Sequence, residues 1–438
     1  MIHNRTVKNA AWIIGCRIVQ ALLGLVVTML SARYLGPSGY GLLNYAASLV
    51  AFLVPVMQLG LNGTLVQELI SEPEHEGETM GTALCLTFLS GAACVIGISA
   101  FSAIVNRGEV QTILVCILYS LLLLFQSIEM IQYWFQAKLL SKYTSLTILA
   151  AYILVSAYRI ILLITGCSIY WYAISQAIDF AIIAIVLLVL YGRLSEQKLV
   201  FSQSRAFAML NRSKYYIISG LMITVFAQTD RVMLKLMLNE AAVGYYSAAV
   251  TCASLTTFVF VAIIDSARPS ILEGKKTSED VFHHRMKLLF AVIICLALLQ
   301  SAVISIFSGL FVGILYGDAY KASVSALRIV VWYSTFSYLG AVRDIWILAE
   351  NLQKHLWVIN LSGAAANVIM NAVLIPICGV NGAAIASLIT QIFTNVMMGW
   401  VLKPIRPCNQ LMIQSINPAF LIAQWKAIRL PQKNGVSE

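Results

Sequence analysis

Long apolar runs separated by short polar connections dominate the chain. Twelve can be marked, at 9–33, 40–62, 80–105, 110–136, 143–165, 169–192, 214–236, 242–266, 286–315, 323–349, 355–377 and 382–402. Each approximates the roughly 17 to 25 residues that a helix needs to cross a bilayer. A membrane barrel would show alternating strands of about ten residues instead. The pattern predicts an all-α polytopic membrane protein with about 12 transmembrane helices. No connection is long enough for a separate soluble domain.

The run order predicts a duplication. Six crossings return the chain to its starting side, so the second half begins in the same orientation as the first, as a parallel repeat. The expected division is an N-lobe over 1–200, a C-lobe over 201–402 and a cytoplasmic interfacial tail over 403–438. The basic connection YGRLSEQKLVFSQSRAFAMLNRSKYY is the joint between them. A local echo supports the halves. The stretch ARYLGPSGYGLLNYA, Ala32 to Ala46, predicts a helix ended by Gly36 and Pro37, a tight turn through Ser38 and Gly39, and a second helix at once. In LNEAAVGYYSAAVT, 203 positions later, Leu238 matches Leu35, Gly244 matches Gly41 and Ala249 matches Ala46.

Composition agrees. Hydrophobic residues make up 60% and charged ones 11%, against roughly 25% charged in soluble domains. The N-terminal MIHNRTVKNAAWIIG runs into the first apolar stretch without a small-residue cleavage motif, so it reads as a retained helix and no signal peptide is expected. The nine cysteines are scattered without a CxxC and away from the five histidines. Neither a disulfide framework, a metal site nor any cofactor is expected.

Charge fixes an expected orientation. Of the 29 Lys and Arg residues, 20 fall in segments on the N-terminal side and four (Arg33, Arg107, Lys235, Lys321) on the other. The positive-inside rule then places both termini in the cytoplasm. The net charge of +10 is a topology signal, and no nucleic-acid partner is assigned to it. The acidic connection QELISEPEHEGETM is expected to be solvated, and Trp12, Trp134, Trp171, Trp357 and Trp400 are expected to be interface anchors.

The informative residues are ionisable groups inside the runs: Arg17, Glu129, Arg159, Asp179, Asp230, Arg231, Arg328, Arg343 and Asp344. An arginine near the bilayer centre costs about 2.5 to 3.5 kcal/mol on insertion scales, so these must face the interior. Helical spacing groups them into polar stripes. Arg17, Gln20, Gly24, Thr28 and Ser31 share one face, as do Thr224, Gln228, Arg231 and Lys235. Ser145, Tyr152, Ser156 and Arg159 form a third stripe, and Arg328, Trp332, Thr335 and Arg343 a fourth. The bland reading is a set of buried ion pairs with Asp179, Asp230 and Asp344. Two observations weigh against it. Arginines outnumber intramembrane aspartates, and neighbours such as Arg343 and Asp344 point roughly 100° apart on a helix. Surplus guanidinium suits an anion, and its planar fork matches phosphate oxygens.

With the hairpin, the paired halves, the DSARPSI segment (Asp265 to Ile271) and GVNGAAIAS before the last run, the chain resembles the polysaccharide-export branch of the multidrug/oligosaccharidyl-lipid/polysaccharide flippase superfamily. It looks most like bacterial O-antigen flippases. The resemblance implies two six-helix lobes forming a V around a cationic cavity. It also implies alternating access that carries an undecaprenyl-pyrophosphate-linked oligosaccharide across the inner membrane. Arg17, Arg159, Arg231, Arg328 and Arg343 would surround the pyrophosphate, with Lys235, Gln20 and Gln228 beside them. Related peptidoglycan-precursor flippases carry an Arg-Asp pair on the first helix, whereas Arg17 is followed by Ile18, which argues against a cell-wall precursor. The expected partners are the lipid-linked oligosaccharide, membrane lipids and other polysaccharide assembly proteins, with the protein itself a monomer. The alternatives are an ion-coupled exporter using Asp179, Asp230 or Asp344, and a membrane glycan polymerase or glycosyltransferase. The last would need acids in its outside loops, which offer only Glu109, Glu240 and Asp318.

Overall fold

The structure is a computed structural model that describes the backbone of residues 2–420, with side chains except at 2–14, 17 and 18. Among the described residues it is all helical. In chain order the helices are α1 (Ile2–Met57), α2 (Leu65–Ser71), α3 (Glu76–Val105), α4 (Val110–Ser120), α5 (Leu122–Ile128) and α6 (Gln132–Ala137). They continue with α7 (Ser141–Ile164), α8 (Ile169–Leu194), α9 (Gln203–Met237), α10 (Glu240–Ser254), α11 (Thr257–Thr277) and α12 (Glu279–Ile306). The last are α13 (Ser308–Tyr316), α14 (Ser323–Ala349), α15 (Leu356–Cys378), α16 (Val380–Ile392), α17 (Met398–Val401) and α18 (Arg406–Ser415).

Nine described stretches are long and apolar enough to cross a membrane, and the pair α10 and α11, bent by 45°, makes a tenth. One stretch, Val19–Met57, is two legs separated by a break at Gly36. The 27-residue α14 falls outside that set, because Arg328, Arg343, Asp344 and its hydroxyls lower its hydropathy. Counting both legs and α14 gives the twelve crossings that the apolar pattern predicts. The protein is a multi-pass membrane protein.

The break in α1 is sharper than the expected turn. Only Gly36 leaves helical geometry, at φ 67° and ψ 177°, and Pro37 opens the second leg. That backbone region is essentially reserved for glycine, and proline suits a first helical position because its missing N–H is not needed there. The legs fold towards each other. Thr28 and Ser31 line the same pocket as Asn44 and Ala47, although a straight helix would hold residues 28 and 47 about 28 Å apart. Gly36→Ala should therefore cost about 1 to 3 kcal/mol, read as a lower midpoint in a thermal melt of the detergent-solubilised protein.

The chain divides into two compact units, Met1–Ser247 with Leu315–Tyr320, and Ala248–Ile314 with Lys321–Glu438. In the first, a core of Leu61, Leu65, Met80, Met130, Trp134 and Leu187 joins α2, α3, α6 and α8. Trp134, expected at the interface, is 2% exposed and packs edge-on to Phe135 and Tyr191. Trp171 and Trp357 are exposed as expected. In the second unit, Phe282, Met286, Phe290 and Trp346 pack with Cys408, Leu411 and Met412, so α18 belongs to the core against α12.

At one end of the first unit the two copies of the hairpin motif cross reciprocally. A Cβ added at Gly41 would lie 1.8 Å from the Glu240 carbonyl oxygen, and one added at Gly244 would lie 2.0 Å from that of Pro37. Pro37 and Glu240 stand 203 positions apart, as do Gly41 and Gly244, so each motif's glycine seats the other's helix start. Around this crossing, Tyr40, Tyr245, Tyr316 and Tyr320 cluster, and the Tyr320 hydroxyl donates to the Ala32 carbonyl at 2.8 Å. The buried Lys235 ammonium bridges Glu109 at 2.6 Å and Glu240 at 2.8 Å. Its hydrogen bond holds the Glu109 carboxyl below the usual carboxylate range.

The acidic connection is exposed over residues 71–75, as expected of a solvated run, but four of its five glutamates are also paired. Arg205 pairs with Glu72 at 2.9 Å and Glu78 at 3.0 Å, and Lys138 meets Glu76 at 2.6 Å. Glu76 is only 4% exposed. These pairs tie the first turn of α9 and the end of α6 to the start of α3, and the segment before α9 runs alongside. Gly77 and Gly81, one turn apart, let that segment approach: the Val200 N–H donates to the Gly77 carbonyl at 3.2 Å. A Cβ at Gly81 would lie 2.5 Å from the Val200 backbone. Glu68, Glu72, Glu76 and Glu78 of the acidic stretch are thus paired with basic residues far along the chain, and Glu74 is exposed.

Candidate functional site

Arg159 sits on the polar face of α7. Its Nε–H donates to the Ser175 hydroxyl of α8 at 2.9 Å, and Ser175, fully buried, donates onward to the Tyr172 carbonyl at 2.7 Å. The guanidinium lines a cavity of about 160 Å³ with Thr28, Ser31, Asn44, Tyr119 and Gln176. Among the described residues, its terminal amino groups have no hydrogen-bond partner. One turn past Ser175, Asp179 is buried, and its Oδ1 has no partner among the described residues.

Arg231, on α9, repeats the arrangement within the same unit. Its Nε–H donates to the buried Ser247 hydroxyl at 3.1 Å, and Nη1 donates to Gln228 Oε1 at 2.8 Å. Gln228 Oε1 also accepts from Ser48 of the second α1 leg at 3.2 Å. The neighbouring Asp230 is 5% exposed and accepts from the Tyr246 hydroxyl. Lys235, the last member of this stripe, is engaged by Glu109 and Glu240.

In the second unit, Arg328 Nε donates to the Ser308 hydroxyl at 2.9 Å. Its terminal amino groups too lack a partner among the described residues. Arg343 differs, being 5% exposed, with Nη1 on the Thr394 carbonyl at 2.7 Å and Nη2 on Asp344 at 3.0 Å. The pairing of Arg343 with Asp344 corrects the expectation drawn from their angular separation. A 100° offset directs the Cβ atoms apart, but a long arginine side chain reaches back across it. Thr394 lies in a π-helical turn over Phe393–Met397, a distortion that often marks functional positions.

The structure therefore brings Arg159 beside Asn44 and Gln176, and Arg231 beside Gln228, while Arg328 and Arg343 lie in the other unit. Gln20 lines a separate recess of the first unit. Arg17 belongs to α1, and its side chain lies outside the described residues. The anchoring serines do not stand out in the sequence as isolated residues. Their signal was a spacing, since Ser175 follows Arg159 by 16 positions and Ser247 follows Arg231 by the same 16, across a tight helical turn each time.

Three guanidiniums share one geometry. The Nε–H is spent on a serine hydroxyl, which fixes the plane of the fork. For Arg159 and Arg328 the terminal pair stays open to a further acceptor, the arrangement that a planar arginine uses towards phosphate or carboxylate.

No curated protein sequence matches the chain significantly. Among solved structures, the fold is similar to the lipid II flippase MurJ in an inward closed conformation, with a TM-score of 0.74 and 14% identity over 94% of this chain and 92% of that one. It is also similar to an inward-facing multidrug resistance MATE family transporter of the MOP superfamily, at TM-score 0.65 and 13% identity over 90% and 95%. The eukaryotic MATE transporter AtDTX14 matches at TM-score 0.59 and 13% identity over 93% and 99%. These likenesses describe the fold. A family model described as polysaccharide biosynthesis protein matches residues 6–275, well over half of the chain. The protein thus belongs to the polysaccharide biosynthesis protein family, with a fold like that of the MurJ and MATE structures.

Proposed function

We propose that the protein flips an undecaprenyl-pyrophosphate-linked oligosaccharide, an O-antigen or similar repeat unit, across the bacterial inner membrane by alternating access between N-lobe and C-lobe. Both termini face the cytoplasm on this reading. The observation that carries it is the set of intramembrane guanidiniums held through Nε to serine, with the Arg159 and Arg328 forks open. A pyrophosphate supplies acceptor oxygens to such forks. A cationic drug would be repelled by them. Membership of a polysaccharide biosynthesis family points to the same class of cargo. Arg17, Arg159, Arg231, Arg328 and Arg343 are the proposed anion-binding set, with Gln20 and Gln228 as neutral neighbours. Lys235 stands with them in charge, and its two carboxylate partners give it a bracing role.

A second reading rests on Asp179, whose buried oxygen lacks a hydrogen-bond partner among the described residues. It makes the protein an ion-coupled exporter, with Asp230 and Asp344 as further candidate carriers. Deletion of the gene separates the two. The flippase reading predicts loss of surface polysaccharide with unchanged resistance to cationic dyes and antibiotics. Normal polysaccharide together with heightened drug sensitivity would refute it in favour of export.

A further inference from the structure

We propose that the cavity at Arg159 reads the first sugar of the lipid-linked substrate, taking the ring attached to the pyrophosphate with that ring's phosphate on the Arg159 fork. The proposal rests on the flippase reading above and adds a subsite to it. The cavity, about 160 Å³, lies between both legs of α1 and helices α4, α7 and α8, all in the first unit.

Two groups in its lining lack partners. The hydroxyls of Ser31, 8% exposed, and Tyr172, 3% exposed, make no hydrogen bond among the described residues, and both residues line the cavity. A buried polar group without a partner is costly, so such a pair points to a ligand. The local packing holds Tyr172 in place. Its ring stacks on Tyr34 at 5.9 Å, and the Tyr34 hydroxyl donates to the Cys167 carbonyl at 3.2 Å. Ser175, which accepts from Arg159, donates to the Tyr172 carbonyl at 2.7 Å. One turn of α8 therefore sets both the guanidinium and the tyrosine. Gln176, four residues past Tyr172, shares its helix face.

The mixture of donors and acceptors selects the ligand. Phosphate oxygens would satisfy the fork and the two hydroxyls. The cavity also presents acceptors. Asn44 spends its Nδ2 on the Tyr40 carbonyl at 2.8 Å, which leaves Oδ1 without a partner among the described residues. Gln176, also in the lining, makes no side-chain hydrogen bond among them. Amide oxygens need O–H or N–H donors, which an ionised pyrophosphate does not carry and a sugar does. The anomeric oxygen joins ring to phosphate directly, so a ring in the cavity has its phosphate beside a guanidinium of the same lining. The volume lies below the about 300 to 1,000 Å³ of pockets that hold drug-sized molecules, which suits a single ring.

The full-length protein in lipid nanodiscs is titrated with undecaprenyl pyrophosphate and with the same lipid bearing one glucose, one galactose or one N-acetylglucosamine. We expect at least one glycosylated lipid to bind the wild-type chain about tenfold more tightly than the bare one, the effect of one to two neutral hydrogen bonds. Tyr172→Phe removes only a hydroxyl that bonds nothing in the fold, so the variant should fold as the wild type does. Combined with Gln176→Leu, it should erase that preference while shifting affinity for the bare lipid far less. Arg159→Ala should weaken binding of all the lipids. A preference that survives in the double variant overturns the subsite, as does a wild-type protein that binds bare and glycosylated lipids equally; both results leave the flippase reading standing. If the wild-type protein binds none of the lipids, the flippase reading itself fails and the subsite falls with it.

Discussion

Replacing Gly41 with alanine will unseat the crossing of the two hairpin motifs and cost about 3 kcal/mol or more, beyond the usual range for an added methyl in a packed core. The reason is geometric. The new Cβ would sit 1.8 Å from the Glu240 carbonyl oxygen, which is backbone and cannot rotate aside as a side chain does. Gly244→Ala should cost as much, because its Cβ would lie 2.0 Å from the Pro37 carbonyl oxygen. Gly97→Ala on α3 is the control. Nothing lies within 4 Å of its added Cβ, and exchanging glycine for alanine inside a helix is favourable by about 0.5 to 1 kcal/mol. Thermal melts of the three purified variants by fluorescence-detected size exclusion compare these outcomes directly. Equal midpoints for Gly41→Ala and Gly97→Ala would contradict the close packing described here.

The second large effect concerns the anchored arginines. Arg159→Ala and Arg328→Ala should each lower the initial flipping rate by about 10- to 100-fold, the value of one or two charge-assisted hydrogen bonds. Lysine should not restore it. An ammonium keeps the charge but loses both the Nε–H that reaches Ser175 or Ser308 and the planar fork. Ser175→Ala, which frees the guanidinium without removing it, should have a smaller effect than Arg159→Ala. Rates are compared per folded protein in liposomes, and full activity of the lysine variants would show that charge alone suffices.

Much of this architecture was legible in the chain. The apolar runs gave helices because a bilayer demands about 20 apolar residues whatever the partner, and the offset of 203 positions pointed to motifs that prove to seat one another. Arginines inside apolar runs marked themselves by cost. Periodicity assigns a residue to a face but does not say which residue of another helix meets it. Ser175, Ser247 and Ser308 look like any small hydroxyl in a membrane helix until the fold sets them against Nε. The same limit hid the acidic connection's partners, since Arg205 is 127 positions from Glu78. Trp134 misled for a related reason, because an aromatic near a helix end suits the interface and the core equally. The Arg343 and Asp344 pair shows that helical angle predicts where a side chain starts and not where it ends.

Reconstituted flipping is the most direct test of the central claim. The purified protein is placed in liposomes whose inner leaflet carries undecaprenyl-pyrophosphate-linked oligosaccharide, and appearance of the glycan outside is followed with an impermeant lectin. Transfer should depend on the protein, fall by about tenfold or more in Arg159→Ala, and be absent for a glycolipid lacking the pyrophosphate. Transfer of the uncharged glycolipid at the same rate, or full activity of Arg159→Ala, would contradict the claim.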